Sequence, residues 1–158
     1  MLSARALRAA LPRAIAVVRP GAVELTALLT DCGLDVIVCE QADLGMGASL
    51  ACAVQATAGA AGWVVALADM PSIDPSTIAA VAAALQAGAT LAAPFYGGRR
   101  GHPVGLGASL EAELRALSGD AGARDILTRR GAELTRIDTE DAGVHADIDT
   151  PADLNRFS

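Results

Sequence analysis

Lysine is absent from this sequence: all 12 basic residues of the 158-residue chain are arginine. That removes a P-loop, whose lysine reaches the phosphates, and Schiff-base chemistry on a lysine amine. The bias itself follows from an Ala- and Arg-rich, GC-rich coding sequence. Aromatic residues make up only 3% of the chain, so its core is built from small aliphatic side chains and not from ring clusters. Three cysteines, no CxxC pair and two histidines exclude a disulfide framework and a zinc site, and a reducing cytoplasm fits. A net charge of −6 leaves no basic face for a nucleic acid. It does not exclude a phosphate ligand, for which one local arginine cluster suffices. No apolar run reaches the roughly 18 residues of a membrane span. The opening MLSARALRAALPRA imitates a transit peptide in composition but lacks the apolar core of a secretory signal, and is read as an amphipathic helix of the domain.

What is present is an alternation. The length suits one domain over residues 1–158, 53% of them hydrophobic. Helical spacing at Ala4–Leu11, Val23–Cys32, Ala48–Thr57, Pro75–Ala87, Ser109–Leu117 and Ala121–Arg130 is interleaved with apolar runs at Ala14–Val18, Asp35–Cys39, Trp63–Ala68, Thr90–Tyr96 and Ala132–Asp138. Gly33 is a helix stop, Asp74-Pro75 an N-cap followed by an N1 proline, and Thr150-Pro151 opens a short C-terminal helix. GGRRGHPVGLG, residues 97–107, reads as a glycine-rich loop. Strands that are apolar throughout, alternating with helices, predict an α/β fold with a mostly parallel sheet and helices on both faces. Ligands of such sheets sit beyond the carboxyl ends of the strands.

Asp69 stands at such an end, in LADMPSIDP after the apolar GWVVA. It either caps the following turn or binds a metal. Mg²⁺ takes one or two carboxylates and completes its shell with substrate phosphates and water. The segment HADIDTP supplies a second carboxylate, Asp147 or Asp149, which share a face in extended chain, although Asp149 also suits capping the helix at Pro151. In LGMGASL, Gly45 and Gly47 permit close backbone approach and Ser49 lies at a helix start, where free N–H groups favour an anion; an ordinary strand-to-helix turn has the same composition. Arg99 and Arg100, beside Gly101 and His102, suit bidentate phosphate contacts or a solvated loop. Asp120 and Arg124 sit in SGDAGAR, another loop that enters a helix.

LADMP, RRGHPVG, GDAGAR and DIDTPADL, in this order, resemble the molybdenum cofactor cytidylyltransferases, within the nucleotidyltransferases similar to the molybdopterin-guanine dinucleotide enzymes. The similarity runs from about Arg13 to the C-terminus. The resemblance implies a Rossmann-like nucleotidyltransferase fold and transfer of CMP from CTP to a molybdopterin phosphate, with release of pyrophosphate. It implies Mg²⁺ on Asp69 and Asp149, a nucleotide loop at Gly45, Gly47 and Ser49, and Arg100, His102, Asp120 and Arg124 toward the pterin. GTP remains the alternative nucleotide. A molybdoenzyme or its chaperone would receive the product, and a homo-oligomer is compatible with the pattern.

One feature of that family has no counterpart here. Its members begin with a strand that runs into LAAGxSxRMGxxK, a loop that wraps the triphosphate. The expectation is therefore an N-terminally truncated domain, without the first strand and phosphate loop, whose neighbouring strands keep open edges and whose transfer activity is impaired. The rival reading from another class is a non-catalytic remnant that binds a nucleotide or a partner chain. A response-regulator receiver would need an acidic pair after its first strand and a lysine after its last, and Arg19-Pro20 and the missing lysine exclude it.

Overall fold

The structure, a computed structural model, describes residues 1–148; Asp149 and the helix expected from Thr150 lie outside the described residues. Helix α1 (Leu2–Ala10) leads to strand β1 (Ile15–Val18), helix α2 (Val23–Asp31) and strand β2 (Asp35–Val38). Helix α3 (Met46–Ala56), strand β3 (Gly62–Val65) and helix α4 (Pro75–Gln86) follow. The chain continues through β4 (Leu91–Tyr96), β5 (Arg99–Arg100) and β6 (Val104–Gly107), then α5 (Glu111–Arg115), α6 (Arg124–Arg129) and β7 (Leu134–Asp138).

Local signals set several boundaries. Asp74 caps α4, its carboxylate accepting the Ser76 N–H at 2.7 Å, and Pro75 occupies the first helical position. Gly33 ends α2 at φ +81°, where a side chain would be strained. The N-terminal helix belongs to the fold: Ala6, Leu7, Ala10 and Leu11 pack against buried Met70, Ile73 and Ile78.

Two sheets form. β1 and β2 pair in parallel, Ile15 opposite Asp35 and Val18 opposite Val38. The larger sheet has the order β3-β6-β4-β5, with β7 also on β4. Among the described residues no strand pairing joins the two sheets; α3 bridges them, lying against β1, β2 and α5. The smaller unit is thinly covered, since α2 has no fully buried residue and Leu28 is 50% exposed.

The expectation of a mostly parallel sheet is corrected here. In the larger sheet only β4 and β7 run parallel; β3–β6, β4–β6 and β4–β5 are antiparallel. The cause lies in residues 97–107, expected to be a loop. Gly97 and Gly98, at φ +56° and +77°, make a two-residue turn that places Tyr96 opposite Arg99. The returning strand then reaches Val104–Gly107, fully buried, and inserts between β4 and β3.

The glycines of β6 have a packing reason. A Cβ on Gly105 would lie 2.8 Å from Val81 Cγ1, and one on Gly107 would lie 2.7 Å from the Ala89 carbonyl oxygen. Small residues on this face let α4 settle directly onto the sheet. Helices cover both faces of the larger sheet, as expected. On the α4 side Ala92 packs with Val81 and Leu85. On the other side Leu91, Val104 and Leu106 pack with Leu110, Leu114 and Ile126, and each such fully buried aliphatic contributes about 1.5–3 kcal/mol.

Candidate functional site

The carboxyl end of β3 continues through Leu67 to Asp69, which is exposed, so its carboxylate carries no burial cost. Two contacts fix this strand end. Ser3 Oγ of α1 donates to the Ala68 carbonyl at 2.8 Å, and the Ile148 N–H donates to the Asp69 carbonyl at 2.8 Å. The second bond lays the segment with exposed Asp147 alongside Asp69. A cavity of about 280 Å³ opens here, lined by Ser3, Asp69, Pro71 and Ile148 among others. Asp149, the other expected carboxylate, lies outside the described residues.

A second cleft, of about 200 Å³, lies beside β3 and β6. Val65, Leu67 and Val104 make its apolar floor, and Arg100, His102 and Arg124 give it polar groups. Arg100 and Arg124 are exposed, while His102 is half-buried. The His102 ring has a sealed Nδ1 without a hydrogen-bond partner. Burial pushes the His102 pKa below its ordinary value, the charge of Arg100 lowers it further, and His145 adds to this while Asp69 opposes it. These influences favour the uncharged imidazole. Its backbone is anchored by the His102 N–H, which donates to the Val144 carbonyl at 3.0 Å.

The start of α3 forms the opposite wall. Gly45 begins it at φ +119°. The Gly47 N–H donates to the Gly119 carbonyl at 2.7 Å, and a Cβ on Gly47 would lie 2.8 Å from that oxygen. A Cβ on Gly45 would overlap the Asp120 carboxylate. Both glycines thus allow the loop of residues 118–120 to seat on the helix start, with Asp120 at its positive end. The Ser49 hydroxyl donates back to the Gly45 carbonyl at 3.4 Å and does not line the cleft. The structure therefore gathers Arg100, His102 and Arg124 at one cleft and Asp69 and Asp147 next to it. Gly45, Gly47 and Asp120 do not line the cleft; they meet one another behind Met46 and Ala121, which do.

Among the described residues no group of three or more His, Cys, Asp or Glu side chains is placed to hold a metal by itself. Asp69 and the 147–148 segment suit a hard divalent ion that keeps waters and shares phosphate oxygens with a substrate. No helix among the described residues is long and apolar enough to cross a membrane.

One residue escaped the sequence reading. Asp141 joins the loop after Asp69 to the segment before Asp147: its Oδ2 accepts the Asp74 N–H at 2.8 Å and the Thr77 hydroxyl at 2.9 Å. Its Oδ1 accepts the Gly143 N–H at 2.8 Å, an Asx-type turn that the sequence Asp141-Ala142-Gly143 permits. The bonds to Asp74 and Thr77 span 67 and 64 residues of sequence and leave no local signal.

Comparison with known proteins places these features in a wider set. The model of the MobA-like NTP transferase domain matches residues 2–134. Rv0371c of Mycobacterium tuberculosis H37Rv, solved in complex with manganese, superposes with a TM-score of 0.81 at 25% identity, covering 98% of this chain and 83% of that one. Its homolog from Mycobacterium sp. strain JC1 has 30% identity and a TM-score of 0.76, covering 98% and 80%. A nucleotidyl transferase from Methanothermobacter thermautotrophicus shares the fold, with a TM-score of 0.78 at 22% identity over 99% of this chain and 76% of that one. No curated protein sequence matches the chain.

Proposed function

The chain belongs to the MobA-like NTP transferase domain family, and from that premise we propose that it transfers CMP from CTP to the terminal phosphate of molybdopterin. The observation that carries this reading is the pairing of Asp69 with the Asp147 segment, through the Ile148 N–H, beside the arginine- and histidine-lined cleft. In the reaction a molybdopterin phosphate oxygen bonds to the α-phosphorus of CTP. The bond from that phosphorus to the bridging oxygen breaks, and pyrophosphate leaves with the electron pair.

Asp69, with Asp147 or Asp149, would hold the divalent ion. Manganese in the complex of the mycobacterial neighbour supports an ion of this class, and Mg²⁺ is the expected one. When bound, the ion neutralises phosphate charge and orients the reacting groups. Arg100 and Arg124 hold the anionic acceptor at the cleft mouth, and the apolar floor of Val65, Leu67 and Val104 takes its uncharged part. His102 contributes the half-buried face of its imidazole to the cleft, while its Nδ1 stays sealed from it. Gly45 and Gly47, by seating the 118–120 loop with Asp120, would fix the start of α3 on the nucleotide side, behind the lining residues Met46 and Ala121. Catalysis by these groups is positioning and charge compensation.

Calorimetry with CTP and Mg²⁺ tests this reading on wild type and Asp69→Asn, an isosteric change at an exposed site that leaves the fold intact. Loss of Mg²⁺-dependent CTP binding in the variant is expected; unchanged affinity refutes the metal assignment. A clear preference for GTP in competition would move the chain to the guanylyl branch.

A further inference from the structure

The segment that brings Asp147 to Asp69 is held from its far end. Asp141 lies six residues earlier, and its carboxylate accepts three hydrogen bonds, from the Asp74 N–H, the Thr77 hydroxyl and the Gly143 N–H. Thr77 is 4% exposed and sits in the first turn of α4, so the carboxylate also meets the positive end of that helix. The Asp141 N–H donates to Thr139 Oγ1 at 3.1 Å, which fixes the turn from its other side. After Asp141 the chain is pressed between two surfaces. A Cβ on Gly143 would overlap the Ser72 carbonyl, and one on Gly101 would lie 2.6 Å from Val144. Val144 is fully buried, and His145 Nε2 meets the Arg99 carbonyl at 3.2 Å. The run ends at Ile148, on the Asp69 carbonyl.

From this geometry we infer that Asp141 is a positioning residue, which sets the place of the Asp147 carboxylate relative to Asp69; the inference rests on the reading of Asp69 as a metal ligand. Asp141 lines neither cavity, and its carboxylate oxygens are taken up by protein donors. It ties the loop after Asp69, at Asp74, and the segment before Asp147, at Gly143, to one carboxylate. The spacing of the two acidic groups is thereby referred to a common point on α4. An amide cannot replace it, because Asn offers one acceptor oxygen where three donors converge.

The test compares Asp141→Asn, Thr77→Val, Asp69→Asn and Thr57→Val. Thr57→Val is a destabilising control, remote from this segment. Mn²⁺ affinity is read by electron paramagnetic resonance, and protection of the Ile148 amide by hydrogen exchange. We expect Asp141→Asn to weaken Mn²⁺ binding at least tenfold and to speed exchange at Ile148. Thr77→Val should act in the same direction less strongly, and Thr57→Val should lower thermal stability while moving neither signal. Wild-type Mn²⁺ affinity and Ile148 protection in folded Asp141→Asn and Thr77→Val, with binding lost in Asp69→Asn, overturns the inference alone. Mn²⁺ binding retained in Asp69→Asn overturns the metal reading and the inference with it.

Discussion

Placing one methyl group on β6 tests the central departure of this fold from its sequence. Gly105 lies in a fully buried strand, at a φ that an alanine can adopt, so Gly105→Ala adds no backbone strain. The new Cβ would sit 2.8 Å from Val81 Cγ1 and 3.2 Å from both Leu85 methyls. Contacts under 3 Å between carbons require movement of α4 or the strand. Overpacking of this kind costs about 1–3 kcal/mol. For a chain of this size each kcal/mol lowers Tm by about 2–4 °C, so a fall of about 2–12 °C is expected. The internal control is Gly131→Ala, which has negative φ and nothing within 4 Å. It removes only backbone freedom from the unfolded chain and should stabilise by about 0.4–1 kcal/mol. Thermal and urea melts of both variants give the comparison. Combining Gly105→Ala with Val81→Ala removes the clashing methyl, so the double variant should lose less than the sum of the two single losses. If Gly105→Ala melts like wild type, α4 does not rest on β6, and the inserted strand described above is wrong.

Two further expectations concern the core and the cleft. The Trp63 indole N–H donates to Thr57 Oγ1 at 2.8 Å, so Thr57→Val should cost about 1–3 kcal/mol by orphaning that donor and should shift the emission of the only tryptophan; unchanged emission and stability would refute it. Because the His102 pKa is lowered in the fold, chiefly by burial, the unfolded chain takes up this proton first on acidification. Stability linked to His102 is thus complete above the unfolded value near 6.5 and is lost as pH falls from there toward the lowered folded value. In melts from pH 8 to 5 the stability gap between wild type and His102→Asn should narrow below about pH 6.5, and a constant gap would contradict the shift.

The sequence was most informative where one residue type has one local use. Asp74-Pro75 marked the start of α4, Gly33 the end of α2, and the apolar runs marked β1, β2, β3 and β4; β7, Leu-Thr-Arg-Ile-Asp, was expected as a strand although it is not apolar. β6 was hidden because its glycines read as flexibility when their use is proximity to α4. The hairpin before it did carry a signal, Gly97-Gly98 between Tyr96 and Arg99, which the surrounding glycines masked. In the site, the strand end at Asp69 and the cleft residues Arg100, His102 and Arg124 were legible from type and order. The seating of Gly119 and Asp120 on the start of α3 was not, nor was the role of Asp141. Those contacts join residues far apart in the chain, and pairwise matching of donors and acceptors leaves no periodicity to read.

The insertion of β6 between β3 and β4 also orders events during synthesis. β1 and β2 are separated by a single helix, so their pairing is available as soon as the ribosome has released that unit. β3 is different: its partner in the larger sheet is β6, which emerges only after α4, β4 and the hairpin turn. Until Val104–Gly107 is outside the exit tunnel, the apolar edge of β3 has no strand of that sheet to pair with, and the closing contacts are long-range ones whose loop entropy makes them slow. The nascent chain therefore carries an open apolar strand edge through the making of α4 and β4, and that interval is the stage at which the chain is most exposed to misassociation.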